Sequence, residues 1–134
     1  MHKRRKAREL AIQVLYSLVK NPRPMEDVLG DPLFANAGKP HKDFATTLVL
    51  GCAEHKEEIN GIIQKLSMNW KLSRIAVMDH VILWMALFEM IYLDDIPAAV
   101  SINEAIDLSK KYSTEDSGRF INGILDHYHK TKCT

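Results

Sequence analysis

Residues 75–93 read IAVMDHVILWMALFEMIYL and form the most apolar segment of the chain. Asp79 and Glu89 are its only formally charged residues, and residues 81–88 carry no charge at all. A helix that is apolar on nearly every side is buried on nearly every side. The segment is longer than a typical buried strand of about 4–8 residues, and a membrane span needs roughly 20 apolar residues with few charges. We therefore predict the central helix of a helical bundle.

Composition places the chain among ordinary globular proteins. It has 134 residues, of which 46% are hydrophobic and 26% charged, and its formal net charge is +1. These values predict one domain with a normal core, and they argue against a chain that is basic throughout. The N-terminal sequence is not that of a secretory signal peptide, and the two cysteines are consistent with a reducing compartment. We expect a cytoplasmic protein without a membrane span.

Apolar periodicity predicts helices on both sides of the central one. They span residues 3–20, 42–69 and about 101–112, with a last helix after residue 118. The prolines and glycines of residues 21–41 predict a loop that holds at most a short helical turn. No alternation of strand length occurs in the sequence. The predicted fold class is all-α, with five or six helices.

Two helix starts carry capping signals. Ser73 precedes the central helix and is expected to accept hydrogen bonds from the amides of its first turn. Ser101 and Glu104 have the spacing of a capping box and are expected to open the next helix.

A cluster of cations opens the chain before any acid occurs. Its members are Lys3, Arg4, Arg5, Lys6 and Arg8. Such a patch on a balanced protein is a candidate site for nucleic-acid phosphates. One face of the first helix is cationic at its start and apolar at its end, and carries Arg5, Arg8, Ile12, Tyr16 and Val19. Either the arginines are solvated while Ile12 and Tyr16 pack under a loop, or the face contacts nucleic acid at one end and protein at the other.

The sequence contains no common catalytic or metal-binding motif. His127 and His129 point to different sides of a helix, and the pair Glu104 and Asp107 is expected to be solvated. His55 lies in an apolar stripe, where a hydrogen-bonded core ring is commoner than a metal ligand. We expect no cofactor, no metal and no enzymatic activity.

Three segments together resemble the NusB family of bacterial transcription antitermination factors. They are residues 4–18 (RRKARELAIQVLYSL), 48–60 (LVLGCAEHKEEIN) and 96–126 (IPAAVSINEAIDLSKKYSTEDSGRFINGILD). The resemblance implies two roughly perpendicular bundles of about three helices each, one over about residues 1–70 and the other over about residues 71–130. It also implies binding of the single-stranded boxA element of ribosomal-operon RNA together with NusE, a small-subunit ribosomal protein. That complex helps RNA polymerase to resist termination.

The resemblance further implies which residues meet each partner. The RNA-contacting residues would be Lys3, Arg4, Arg5, Arg8, Asp116, Ser117 and Phe120, with Lys6 beside them. The residues that meet NusE would be Tyr16, Asp79 and His80. A carboxylate beside RNA repels phosphate, so Asp116 is expected to accept from a base edge or to lower affinity. Phe120 either stacks on an unpaired base or belongs to the core.

The chain departs from the family at His80 and Trp84, where arginine is common in the family. These residues remove positive charge and add an indole, so this face is also a candidate for self-association. A second interpretation stays open: a non-catalytic helical adaptor or homodimer, in which the basic start only increases solubility. Titration with RNA separates the two interpretations.

Overall fold

Helices form all the regular structure of the described residues. The computed structural model describes residues 2–67 and 75–132, without the side chains of residues 2, 3, 115 and 132. The all-α prediction is confirmed over these residues, although they hold more helices than predicted. The helices are α1 (His2–Lys20), α2 (Met25–Leu29), α3 (Pro32–Ala35), α4 (Lys39–Glu54), α5 (Lys56–Leu66), α6 (Val77–Tyr92), α7 (Ala98–Tyr112) and α8 (Glu115–Lys132).

Helix α6 is the centre of the fold, as its apolar sequence predicts. Residues 81–89 are all buried, and α6 packs against α1, α4, α5, α7 and α8. α1 lies mainly against α4, and α7 lies mainly against α8. The division near residue 70 stays a prediction. None of the described helices, α6 included, combines the length and hydrophobicity of a membrane span.

Two helices replace the single helix predicted over residues 42–69. α4 ends at Glu54 and α5 begins at Lys56, with His55 between them at φ −106° and ψ 20°. The apolar stripe continues through His55, so spacing alone does not reveal the break. α4 also begins before the predicted start. Pro40 lies in its first turn, where the missing proline N–H removes no helical hydrogen bond.

The predicted helix starts differ from the observed ones. α7 begins at Ala98, directly after Pro97, so Ser101 lies inside the helix and does not cap it. Its hydroxyl instead donates to the Glu89 carboxylate at 2.8 Å. α6 begins at Val77, and Ser73 lies outside the described residues. Residues 21–41 hold two short helices, α2 and α3, where the sequence predicts at most one turn.

Candidate nucleic-acid and partner interfaces

Arg8 lies inside the molecule and not on the predicted RNA surface. Its guanidinium donates twice to Glu89, from Nε at 2.8 Å and from Nη2 at 2.7 Å, and once to Glu104 at 3.1 Å. The side chains of Arg8 and Glu89 are 2% and 1% exposed. A guanidinium enclosed in this way offers no surface donor to a phosphate. Arg8 therefore fastens α1 to α6 and α7, which corrects its predicted role as an RNA contact.

Arg4 and Arg5 remain on the surface, where both already have anionic partners. Arg5 binds Glu104 through Nε at 2.8 Å and Asp107 through Nη2 at 2.7 Å. These hydrogen bonds, that to Glu104 above all, raise the pKa of the Arg5 guanidinium. Arg4 lies 3.6 Å from the Asp95 carboxylate, with its guanidinium 4.8 Å from the centre of the Phe44 ring. The cationic start is exposed but partly neutralised, and the side chain of Lys3 lies outside the described residues.

Helix α1 continues along α7 through a second set of polar contacts. Lys111 donates to the Glu9 carboxylate, and the Tyr112 hydroxyl donates to it at 2.7 Å. Burial alone would raise the pKa of Glu9, but these two hydrogen bonds and the charges of Lys111 and Arg5 together lower it. Gln13 reaches the Tyr112 hydroxyl at 3.3 Å. The contacts advance in the same direction on both helices, so α1 and α7 run parallel from the cationic start to the turn before α8.

A pocket of about 470 Å³ opens at this turn between α7 and α8. We name it the turn pocket, and it is lined by Ile75, Ala76, Asp79, Thr114, Asp116, Ser117 and Phe120. The buried Ser117 hydroxyl donates to Asp79 Oδ2 at 2.9 Å. The fold thus brings together Asp116, Ser117 and Phe120, as the resemblance implies. It also places Asp79 beside them, although the resemblance assigns Asp79 to the partner face.

A second, apolar depression is enclosed by four helices: α4, α5, the end of α1 and the start of α6. We name it the α1–α6 groove; its volume is about 510 Å³. Leu18 and Val19 line it from α1, and His80 and Trp84 line it from α6. Tyr16 precedes these α1 residues and is exposed. His80 therefore shares a surface region with the end of α1, whereas the adjacent Asp79 faces the turn pocket.

Asn60 holds the two unusual residues of this groove. Its side-chain oxygen accepts from Trp84 Nε1 and lies 2.6 Å from His80 Nε2. Burial, and then the charge of Lys56, lowers the pKa of His80. Trp84 is only 6% exposed. The indole thus belongs mainly to the core and is not a large exposed surface for self-association.

Comparison with known proteins identifies the chain. The model of the NusB family matches residues 5–130. The chain belongs to the NusB family. The transcription antitermination protein NusB of Desulforamulus reducens is 46% identical over 91% of this chain and 86% of its own length.

Solved structures of NusB proteins have the same fold. NusB from T. maritima is 34% identical, with a TM-score of 0.86 over 95% of this chain and 90% of that one. A crystal structure of the antitermination factors NusB and NusE in complex with dsRNA matches with 27% identity and a TM-score of 0.83, over 98% of each chain. The predicted NusB-like fold is confirmed.

The carboxylates that bind the arginines of this NusB-family chain were missed by sequence reasoning. Glu104 and Asp107 are not merely solvated, because both accept from Arg5, and Glu104 also accepts from Arg8. A signal existed at Glu89, since a carboxylate inside an apolar helix requires a buried partner. The sequence does not state which cation is that partner. Asn60 gave no signal, because an isolated asparagine on a helix is ordinary.

Proposed function

We propose that this chain is an RNA-binding transcription antitermination factor that binds boxA-type single-stranded RNA of ribosomal operons together with NusE. The observation that carries the proposal is the match to NusB proteins over nearly the whole chain. A solved relative assembles with NusE and RNA. The RNA of that relative is double-stranded, and the single-stranded preference proposed here rests on the family resemblance and on an aromatic pocket suited to unpaired bases. RNA polymerase is engaged indirectly, through this complex.

The proposed RNA face runs from the start of α1 to the turn pocket. Exposed Arg4 and Arg5, with Lys3 before them, supply contacts to phosphates, which fix the position of the strand without reading its sequence. Phe120 is half-buried at the other end and offers its ring to a base, while Asp116 is exposed beside it. Ser117 is buried and bonded to Asp79, so it supports the pocket wall.

The proposed NusE face is the α1–α6 groove with exposed Tyr16 beside it. Apolar side chains line most of the groove, and His80 adds a polar edge. An apolar depression with an aromatic residue beside it has the character of the core of a protein–protein interface. Tyr16 and His80 are the predicted contacts. A homodimer through this face is the alternative use of the same surface.

The proposed function involves no catalytic step. The proposed location of the protein is the cytoplasm. Its support is that the similar curated proteins are named as transcription antitermination proteins. Among the described residues, no group of three or more His, Cys, Asp or Glu side chains is placed to hold a metal ion.

A filter-binding titration tests the proposal. The chain is titrated against a boxA-type single-stranded RNA and against a scrambled RNA of the same composition, each with and without NusE. The expected result is selective binding of the boxA-type RNA, strengthened by NusE. Weak binding that ignores both sequence and NusE would favour the helical adaptor or homodimer instead. Sedimentation of the chain alone then determines whether it self-associates.

A further inference from the structure

The turn pocket contains a carboxylate oxygen without a partner. Asp79 is 7% exposed, and its Oδ2 accepts from the Ser117 hydroxyl. Its Oδ1 is buried and has no hydrogen-bond partner within the described part of the chain. Buried polar atoms are nearly always paired, because an unpaired one loses its hydration without compensation. An unpaired acceptor beside an open pocket indicates a ligand that brings a donor.

The other walls of the turn pocket suit a flat ring. Its volume of about 470 Å³ falls within the range of roughly 300–1,000 Å³ typical of ligand pockets. Ile75, Ala76 and the half-buried Phe120 supply apolar surface next to Asp79. Unpaired bases bind proteins by stacking on an aromatic ring while side chains pair with the base edge. Phe120 and Asp79 provide these two elements in one pocket.

The surroundings favour RNA over a protein side chain as the source of the donor. Lys110 and Lys111 form the last turn of α7, directly before the residues of the pocket, and Arg119 adjoins Phe120 on α8. All three are exposed. A strand whose phosphates meet these cations passes the mouth of the pocket. Exposed Asp116 and the Glu9 partner of Lys111 offset part of this positive charge. The choice of RNA over a protein donor therefore rests mainly on the stacking surface that the Phe120 ring offers to a base.

We propose that the turn pocket binds one unpaired base that carries an exocyclic amine, with its ring against Phe120 and its amine donating to Asp79. The inference rests on the proposed function and deepens it, because it moves Asp79 from the NusE face to the RNA face. Cytosine, adenine and guanine qualify. A carboxylate only accepts hydrogen bonds, so uracil, which presents an oxygen where cytosine presents an amine, is disfavoured.

An analogue scan with a matched variant tests this pocket. In a boxA-type RNA bound with NusE, each cytidine is replaced in turn by uridine, each adenosine by purine riboside and each guanosine by inosine. At one position the replacement should weaken binding to the unaltered chain by about tenfold or more, the usual value of a hydrogen bond to a charged group. With Asp79→Asn the penalty for cytidine-to-uridine should fall to near unity, since an amide can donate to the uracil oxygen as well as accept from the cytosine amine. For the purine analogues, which carry hydrogen in place of the amine, the penalty should fall to the smaller value of a neutral hydrogen bond.

One control variant and one substitute variant keep the test independent of folding. Asp126→Asn changes a carboxylate elsewhere on α8, paired with Lys130 at 2.9 Å, and should leave every penalty in the scan unchanged. If Asp79→Asn does not fold, Phe120→Leu replaces it. That variant should weaken binding of the intact RNA, but not of an RNA that is abasic at the identified position, because stacking is then already lost.

The possible outcomes distinguish failure of the pocket proposal from failure of the proposed function. Selective boxA binding with no position coupled to Asp79 or Phe120 would overturn the pocket and leave the proposed function standing. Loss of NusE binding in Asp79→Asn without RNA would also overturn it, because the carboxylate would then serve a protein donor. Absence of selective RNA binding by the unaltered chain would overturn the proposed function and this inference together.

Discussion

Gly51 allows α4 to approach α6 closely. A Cβ atom at this position would lie 2.1 Å from Cζ of Phe88, well inside contact distance. We expect Gly51→Ala to lower the free energy of unfolding by about 1–3 kcal/mol, because the buried ring has to move. Chemical denaturation measures the loss.

Gly61 on α5 is the matched control for this change. Nothing lies within 4 Å of a Cβ atom built there, and the residue is exposed in a helix. Gly61→Ala should raise the free energy of unfolding by about 0.5–1 kcal/mol, the ordinary gain of alanine over glycine in a helix. Equal effects of the two substitutions would contradict the close packing of Gly51 on Phe88.

We expect Arg8 and Arg5 to contribute differently to the free energy of unfolding, although both bind carboxylates. Arg8→Met leaves Glu89 buried without its cation, so we expect a loss of about 3–5 kcal/mol in the free energy of unfolding. Arg5→Met breaks an exposed pair and should cost less than about 1 kcal/mol. Denaturant titrations of the two variants give the comparison. If Arg8→Met costs no more than Arg5→Met, Arg8 does not fasten α1 to α6 and α7 through Glu89 and Glu104.

At the scale of the first helix, the burial of Arg8 changes the expected salt dependence of RNA binding. Phosphate contacts by Lys3, Arg4 and Arg5 predict a slope of log K against log salt near −2, at about 0.7 per contact on a single strand. Including Arg8 would give a slope near −3. Arg4→Ala should reduce the magnitude of the slope by about 0.7, measured by filter binding over a series of salt concentrations.

Arg23 serves as the control for that measurement. Its guanidinium binds Asp31 at 3.2 Å and the end of α1, away from the proposed RNA face. Arg23 lines the α1–α6 groove, so the control is measured without NusE. Under that condition Arg23→Ala should leave the slope unchanged. A slope near −3 for the unaltered chain would indicate a further cation on the RNA path, with Lys110 the first to test.

At the start of α8, Asp116 places an exposed negative charge on the proposed RNA face. Asp116→Asn removes repulsion of phosphate, so we expect tighter binding of boxA-type RNA, by a few-fold as for one surface charge. The effect should diminish at high salt, because exposed charges are screened. Asp27→Asn, an exposed change on α2, should have no effect. Unchanged or weaker binding by Asp116→Asn would count against placing Asp116 beside RNA.

The helices themselves were mostly predictable, and their ends were not. Apolar spacing identified the cores of α1, α6, α7 and α8, because burial imposes the helical period. The break at His55 was hidden, since the apolar stripe runs through it. The capping box at Ser101 was misleading, because the hydroxyl is used by Glu89 in the folded core. A local sequence pattern does not reveal that a residue from another helix competes for the capping hydroxyl.

At the scale of the whole molecule, the middle, the end and the start of α6 have different roles. Its middle carries the core, its end holds Arg8 through Glu89, and its start separates the turn pocket from the α1–α6 groove. The consecutive residues Asp79 and His80 face these two regions. The sequence predicted the central helix, and the family resemblance named Asp116, Ser117 and Phe120, which line the turn pocket, and His80, which lines the groove. It could not predict that Asp79 and His80 face different surface regions, because the direction of each side chain depends on how α6 is rotated between its neighbours.

His80 also connects α6 to α5 through Asn60, which makes the stability of the whole fold depend on pH. Its folded pKa lies below the ordinary value of 6.5 because of burial and then Lys56. The unfolded chain therefore binds the proton more readily, and the stability from this site is complete above about pH 6.5 and falls as the pH decreases below it. In His80→Gln, whose amide can still donate to Asn60, the fall between pH 7.5 and 5.5 should be smaller than in the unaltered chain. His127→Gln, an exposed change on α8, is the control and should keep the original profile. Thermal unfolding across this range measures the difference, and identical profiles for all three proteins would refute a buried, neutral His80.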